Sequence, residues 1–243
     1  MDATVVIPVF NQEKFITRCI ESVISQINGR VEVLVVDDGS TDSTIDLIRQ
    51  FIGIRILTQK NGGTSSAWNL AIENCSSKYV IGLDSDDEFF PNTIEAMMKS
   101  ANNYPNAAMI YSDYVFINED GSSAKTVFNP EPFWPVRQLL TLHEKLGQPD
   151  NFLPFGHVRL YNRQALLSAG GFNETYFYAE DFELVLRMAQ QGLEFRRVPE
   201  ILYKYRWHLS NKGVIYRKEQ KAEVHRAVEE YRQRMHKVTE SYG

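Results

Sequence analysis

The sequence predicts an α/β protein: a doubly wound, mostly parallel central sheet with helices on both faces, a smaller second part and a C-terminal helix. Three observations carry this. Apolar runs of strand length alternate with amphipathic segments over residues 4–100, the pattern of parallel strands joined by right-handed helical crossovers. These runs are apolar at consecutive positions, as in strands covered on both faces. Two of them end in clustered acids, Asp37-Asp38 and Asp84-Ser85-Asp86-Asp87, at the strand ends where open α/β sheets bind ligands.

Thr4–Val9 reads as the first strand, left by the chain near Pro8 because proline cannot donate to a ladder. Asn11 is placed to cap a helix whose pairs Phe15/Ile16, Cys19/Ile20 and Val23/Ile24 recur every four residues. Asn28-Gly29 turns the chain into a second strand, Val31–Val36, followed by a helix carrying Ile45, Ile48 and Phe51, with Ser40 or Thr41 as its cap. Ile54–Leu57 forms a third strand. The glycines of Asn61-Gly62-Gly63-Thr64 permit positive φ or close approach of a ligand. A helix with Ala67, Leu70 and Ala71 leads into the strand from Tyr79, which delivers Asp84, Asp86, Asp87 and Glu88.

Packed carboxylates repel one another, so an ordered cluster needs a cation, protons or a capping role. Mg²⁺ or Mn²⁺ suits carboxylate oxygens; a solvated turn capping the helix after Pro91 explains the same residues. Farther on, Ala107–Ser112 and Tyr114–Ile117 read as strands, and Asn118-Glu119-Asp120-Gly121 supplies a turn. Residues 128–157 form an irregular aromatic, proline-rich segment with a helix around Val136 to Leu146. A strand near His157–Tyr161 and a short helix precede Gly170-Gly171-Phe172. Tyr178–Met188 forms an amphipathic helix with Glu180 and Asp181 at its start, an arrangement the helix dipole also explains. Phe195–Val198 and Ile201–Tyr205 are strands. In the tail, Val224, Val228, Tyr231, Met235 and Val238 make one apolar seam, which docks on its own domain or pairs two chains into a homodimer.

The 243 residues, 43% hydrophobic and 23% charged, allow one sizeable core. A net charge of -5 argues against nucleic acid as partner. No apolar run approaches the roughly 18 to 20 residues of a membrane span, so a cytoplasmic protein is expected, with peripheral work at the inner membrane face left open. Cys19 and Cys75 read as buried free thiols.

Taken together, Val5–Asn11, Val35–Asp42, Asn61-Gly62-Gly63, Asp84–Asp87, Gly170-Gly171-Phe172 and Glu180-Asp181 occur in the order seen in family 2 glycosyltransferases, which the chain resembles over residues 4–210. The resemblance implies a GT-A fold, with residues 1–105 as the nucleotide-sugar half, 106–212 as the acceptor and catalytic-base half, and 213–243 as a helical tail. It implies an inverting, metal-dependent transfer from a nucleotide-diphosphate donor, by family habit a UDP-sugar, to a glycan, lipid-linked or small-molecule hydroxyl. It places Pro8, Phe10 and Asp38 around base and ribose, with Asp37 supporting their loop and Asn11, Asn61 and Gly62 in the same donor-side set. Asp86 would face ribose or metal, Asp87 would ligate Mn²⁺ or Mg²⁺ more directly, and Asp84 offers an alternative pairing with Asp86. Asp181 would be the catalytic base with Glu180 beside it, His208 a further metal ligand, and Arg206 a phosphate contact. Arg206-Trp207 follows Tyr203-Lys204-Tyr205 rather than the processive-enzyme pattern, which points to a non-processive enzyme. A sugar nucleotidyltransferase is the rival enzyme, although Phe10-Asn11-Gln12-Glu13 is not a glycine-rich basic phosphate loop; an inert nucleotide-sugar or glycan-binding module is the rival from another class.

Overall fold

A computed structural model describes residues 1–27, 29–129 and 157–240, with side chains through 234. The expected helix around 136–146, most of the aromatic segment, and the side chains of Met235 and Val238 lie outside the described residues. One sheet organises the rest, in the order β3-β2-β1-β4-β8-β6-β9-β5, with β7 added to β6. β1 (Ala3–Val9), β2 (Val31–Asp37), β3 (Ile54–Thr58) and β4 (Tyr79–Gly82) run parallel. β8 (Arg159–Asn162) then enters antiparallel between β4 and β6 (Met109–Ile117), and β9 (Phe195–Arg206) pairs parallel with β6. β5 (Glu88–Phe89) and β7 (Ser123–Val127) complete the edges.

Helices cover both faces and divide the core in two. α1 (Ile16–Ile24), α2 (Thr44–Ile48) and α4 (Thr93–Asn103) pack through Ile20, Val23, Ile48 and Met97 on one side. On the other lie α3 (Thr64–Asn74), α5 (Arg163–Ser168), α6 (Glu180–Gln190) and α8 (Arg217–Glu240), the last preceded by the short α7 (Lys212–Ile215); Trp68, Leu166, Phe182 and Tyr231 are buried there.

Several local expectations change. Pro8 does not end β1 but is paired in register with Val36. The Val6 carbonyl accepts the Leu83 N–H just past β4's last residue, and Pro8 faces that same side two residues on, where β4 has already ended and no donor is needed. Asn11 does not cap α1. It takes φ 51°, a left-handed geometry that asparagine tolerates, and its Oδ1 accepts the Thr41 N–H at 2.8 Å. Phe15 holds the N-cap position of α1 and Ser43 that of α2; Asp42 Oδ1 accepts the Thr44 N–H. The two strands expected over 107–117 are one, β6, and those expected over 195–205 are one, β9, with register shifts around Ser112 and Asp113. The short β5 was not foreseen because two residues carry no periodicity.

Val224, Ala227, Val228 and Tyr231 of α8 pack on the α6 side of the core, so this part of the seam docks on its own domain.

Candidate active site

The carboxyl ends of β1, β2 and β4 lie at one edge of the sheet, and each hands over to a loop there. After β2, Asp37 is 1% exposed and accepts the Ser40 N–H, while Asp38 is 5% exposed. Asp38 Oδ1 accepts from Gln59 Nε2 (2.7 Å) and the Gly62 N–H (2.8 Å), and its Oδ2 accepts from the Gly63 N–H (2.8 Å). Its carboxylate therefore shapes the 59–63 loop, where the resemblance had it facing the nucleotide. Gly39 lets the strands' loops meet: at φ +81°, an added Cβ would stand 3.1 Å from the Asn61 nitrogen. Pro8 is buried within β1 and offers no surface to a ligand. Phe10, 43% exposed, and Asn61 remain on the open side of the donor set.

After β4, Asp84 to Asp87 form a turn closed by the Asp87 N–H on the Asp84 carbonyl. Antiparallel pairing of Glu88 with Lys204 and Phe89 with Tyr203 sets the end of β9 against this turn. Asp87, 1% exposed, accepts the Arg206 N–H on Oδ1 at 2.7 Å, and its Oδ2 is buried without a hydrogen-bond partner. Burial, then the neighbouring Asp86 and Asp84 charges, push its carboxyl well up. Asp84 is the acid of this turn that solvent reaches most; the protein around it and Asp86 push it up to about 6. Tyr203 Oη donates to Asp84 Oδ2 at 3.4 Å and accepts the Asp84 N–H.

His208 is 2% exposed, with Nε2 3.1 Å from Asp86 Oδ2 and its ring against Phe15. Asn211 holds it in place, accepting the His208 N–H at 2.6 Å and donating to Asp86 Oδ2 and to the Arg206 carbonyl. Arg206 corrects another expectation. It is fully buried and gives its guanidinium to Glu88 and to the carbonyls of Asp86, Asn118 and Glu119, so it braces the acidic turn instead of facing a phosphate.

Asp181 occupies the first turn of α6, and its Oδ2 meets Arg159 Nη2 at 3.0 Å. Arg159 opens β8 beside the end of β4, because Leu160 pairs with Ile81. Glu180 is pushed up to about 8, first by burial and then by Asp181. The two acidic groups share one electrostatic neighbourhood: Asp84 feels both Asp86 and Asp181, and Glu180 feels Asp84. Lys212 reaches from α7 to Thr64 Oγ1 and lowers both Asp84 and Glu180. Arg159, Asn211 and Lys212 were missed from sequence. Only Arg159 left a signal, a cation inside a short apolar run.

Among the described residues, no three His, Cys, Asp or Glu side chains converge closely enough to cage a metal. The chemistry still fits a hard divalent ion that takes one or two protein ligands and completes its shell with phosphate and water. The orphaned Asp87 Oδ2 supplies one donor, and the Asp86–His208 pair supplies the neighbouring position.

The family description "Glycosyl transferase family 2" matches residues 4–168. The chain belongs to that family. This family 2 chain is 29% identical over 215 residues to a chondroitin synthase of Escherichia coli, covering 87% of the chain and 30% of the relative. It is 30% identical over 215 residues to a hyaluronan synthase of Pasteurella multocida, covering 87% and 21%. The chain thus spans less than a third of the length of these relatives. Among solved structures, residues 1–349 of TarS from S. aureus in complex with UDP-GlcNAc superpose with TM-score 0.68 at 19% identity, over 88% of this chain and 61% of that one. The mannosyltransferase PcManGT of Pyrobaculum calidifontis in complex with GDP-Man and Mn²⁺ gives TM-score 0.63 at 18% identity, over 91% and 61%. The fold of the family 2 chain is GT-A.

Proposed function

We propose that this chain transfers a single sugar, with inversion, from a nucleoside diphosphate donor, preferentially a UDP-sugar, to a hydroxyl of a glycan, lipid-linked or small-molecule acceptor. The observation that carries this reading is the proximity of two acidic groups that share one electrostatic neighbourhood, the Asp84–Asp87 turn on the sheet edge and the Arg159-held Asp181 on α6.

Each group has a separate task. Asp181 accepts the proton of the acceptor hydroxyl as its oxygen bonds to the anomeric carbon, while the carbon–oxygen bond to the diphosphate breaks and its electron pair leaves with the phosphate. Arg159 orients that carboxylate. Asp87 and Asp86, the latter backed by His208, would hold a divalent ion, which when bound offsets the charge growing on the leaving diphosphate. Lys212 adds a cation beside Asp84 and Glu180. On the donor side, the exposed Phe10 ring is a stacking surface for the base, and the 59–63 loop, shaped by Asp38, borders it.

Ligands that bind the folded state raise its transition temperature. In a panel of nucleotide sugars with and without Mn²⁺, a UDP-sugar with Mn²⁺ is expected to give the largest rise, and Asp87→Asn to remove the Mn²⁺-dependent part. No shift with any nucleotide in either condition would refute the donor assignment. A shift without UDP release, unchanged by Asp181→Asn, would favour the inert binding module.

A further inference from the structure

We propose that Glu223, on the C-terminal helix α8, is a positioning residue for the catalytic base: its carboxylate clamps the backbone that sets the first turn of α6. The inference rests on the reading of Asp181 as base, and it adds a residue from a part of the chain that the family match, ending at residue 168, does not reach.

Three consecutive amides converge on this one side chain. Glu223 Oε2 accepts the N–H groups of Phe177 (3.0 Å), Tyr178 (2.8 Å) and Ala179 (3.0 Å), and Oε1 lies 3.1 Å from the first of them. Ala179 is the N-cap residue of α6 and has no side chain with which to cap it. Glu180 and Asp181 follow directly. The Ala179 amide is one of those a helix start leaves without an intrahelical partner, the Phe177 and Tyr178 amides belong to the segment leading into it, and a helix start favours a negative charge beside it; here the charge arrives from 44 residues away in sequence.

The clamp is one half of a brace. On the far side of the same segment, α3 holds Phe172 through both atoms of the Asn69 amide (2.8 and 2.9 Å) and the Tyr176 carbonyl through Ser65 Oγ (3.0 Å). On the near side, α8 adds Arg226, which donates to the Thr175 carbonyl at 2.7 Å and lies 3.8 Å over the Tyr176 ring. The stretch from 172 to 179 is thereby strapped between a helix of the donor half and the tail. Arg159 fixes the Asp181 carboxylate from the sheet, but the position of its Cα is set by where α6 begins, and Glu223 fixes that point.

The test compares Glu223→Ala, Glu223→Gln and Asp181→Asn in the full chain. Two readouts are used: amide hydrogen exchange, and UDP release from UDP-N-acetylglucosamine with Mn²⁺, water standing in for the acceptor. For Glu223→Ala, exchange should accelerate at 177–183 while β1, β4 and α3 stay at wild-type rates. Turnover should fall about tenfold or more with donor KM within about twofold, since small misplacements of a reacting group cost rates of that order. Glu223→Gln, which keeps one acceptor oxygen, should recover part of both. Wild-type exchange at 177–183, or wild-type turnover in Glu223→Ala where Asp181→Asn is inactive, overturns the proposal. So does a loss of protection spread evenly over all elements with kcat and KM moving together, which marks a merely structural residue. If Asp181→Asn keeps full turnover, or the wild-type chain releases no UDP, the base or donor assignment fails instead, and amide exchange alone decides the clamp.

Discussion

Asp181 and Glu180 are neighbours in the first turn of one helix, yet their surroundings differ. Asp181 is tied to Arg159 at 3.0 Å, whereas Glu180 is pushed up to about 8 by burial and by Asp181. Removing a general base typically costs 10² to 10⁴ in rate, so Asp181→Asn should lower turnover by about that factor with nucleotide affinity retained. Glu180→Gln should cost far less, as measured by UDP release and by titration with UDP. The raised carboxyls also set a pH dependence. A carboxyl held above its unfolded value stabilises the fold while protonated, and that contribution is lost as pH rises through the folded value. With Asp84 raised from 3.8 to about 6 and Glu180 from 4.5 to about 8, the metal-free chain should lose thermal stability from about pH 4 up to about pH 8. Saturating Mn²⁺ should flatten that slope in a thermal melt by giving the acidic turn a counter-charge.

At the scale of the element, Gly170-Gly171-Phe172 is a motif whose reason is steric. Gly171 sits at φ +68°, and an added Cβ would stand 2.7 Å from Asn69 Oδ1, the atom that accepts the Phe172 N–H. Arg187 of α6 reaches back to the Ala169 and Gly171 carbonyls and is itself gripped by Glu183. Gly171→Ala should therefore destabilise the fold by roughly 1–3 kcal/mol, read as a lower urea midpoint, and should loosen the approach to α6. The acidic turn shows the same dependence on a distant partner. Its sequence announces carboxylates, but their separate fates come from β9: the Arg206 N–H satisfies one oxygen of Asp87 and leaves the other bare, while His208 and Asn211 engage Asp86.

Over the whole molecule, one sheet joins residues before and after 106, since β8 pairs with β4 and β5 pairs with β9. The tail is built into the same body. Tyr231 is 5% exposed in the α6-side core, and replacing a large buried ring by alanine costs roughly 3–5 kcal/mol. Tyr231→Ala should thus lower the melting temperature strongly. Its sedimentation coefficient should not change, because this stretch of the seam is buried within the chain and not between copies. Among the described residues no helix is long and apolar enough to cross a membrane. Exposed Trp207, Leu209 and Ile215 form apolar surface following the acid-bracing end of β9.

Residues 4–100, the two-residue β5 apart, were legible because the strands there are continuous apolar runs and the helices carry apolar stripes, and because acids at the ends of Val31–Asp37 and Tyr79–Gly82 can only emerge at the same edge of a parallel sheet. The family resemblance in motif order marked Asp86, Asp87 and Asp181 as candidates. What they could not decide was which polar groups are already satisfied. Asp38 and Arg206 look free in sequence, yet loop amides and carbonyls brought in from elsewhere consume them. Arg159, Asn211, Lys212 and Glu223 carry no local pattern, and acquire meaning only where the fold sets them beside Asp181, His208, Thr64 and the start of α6. Periodicity records how much of a side chain is buried; hydrogen-bond partnership depends on contacts between residues tens of positions apart, and tertiary packing alone fixes those.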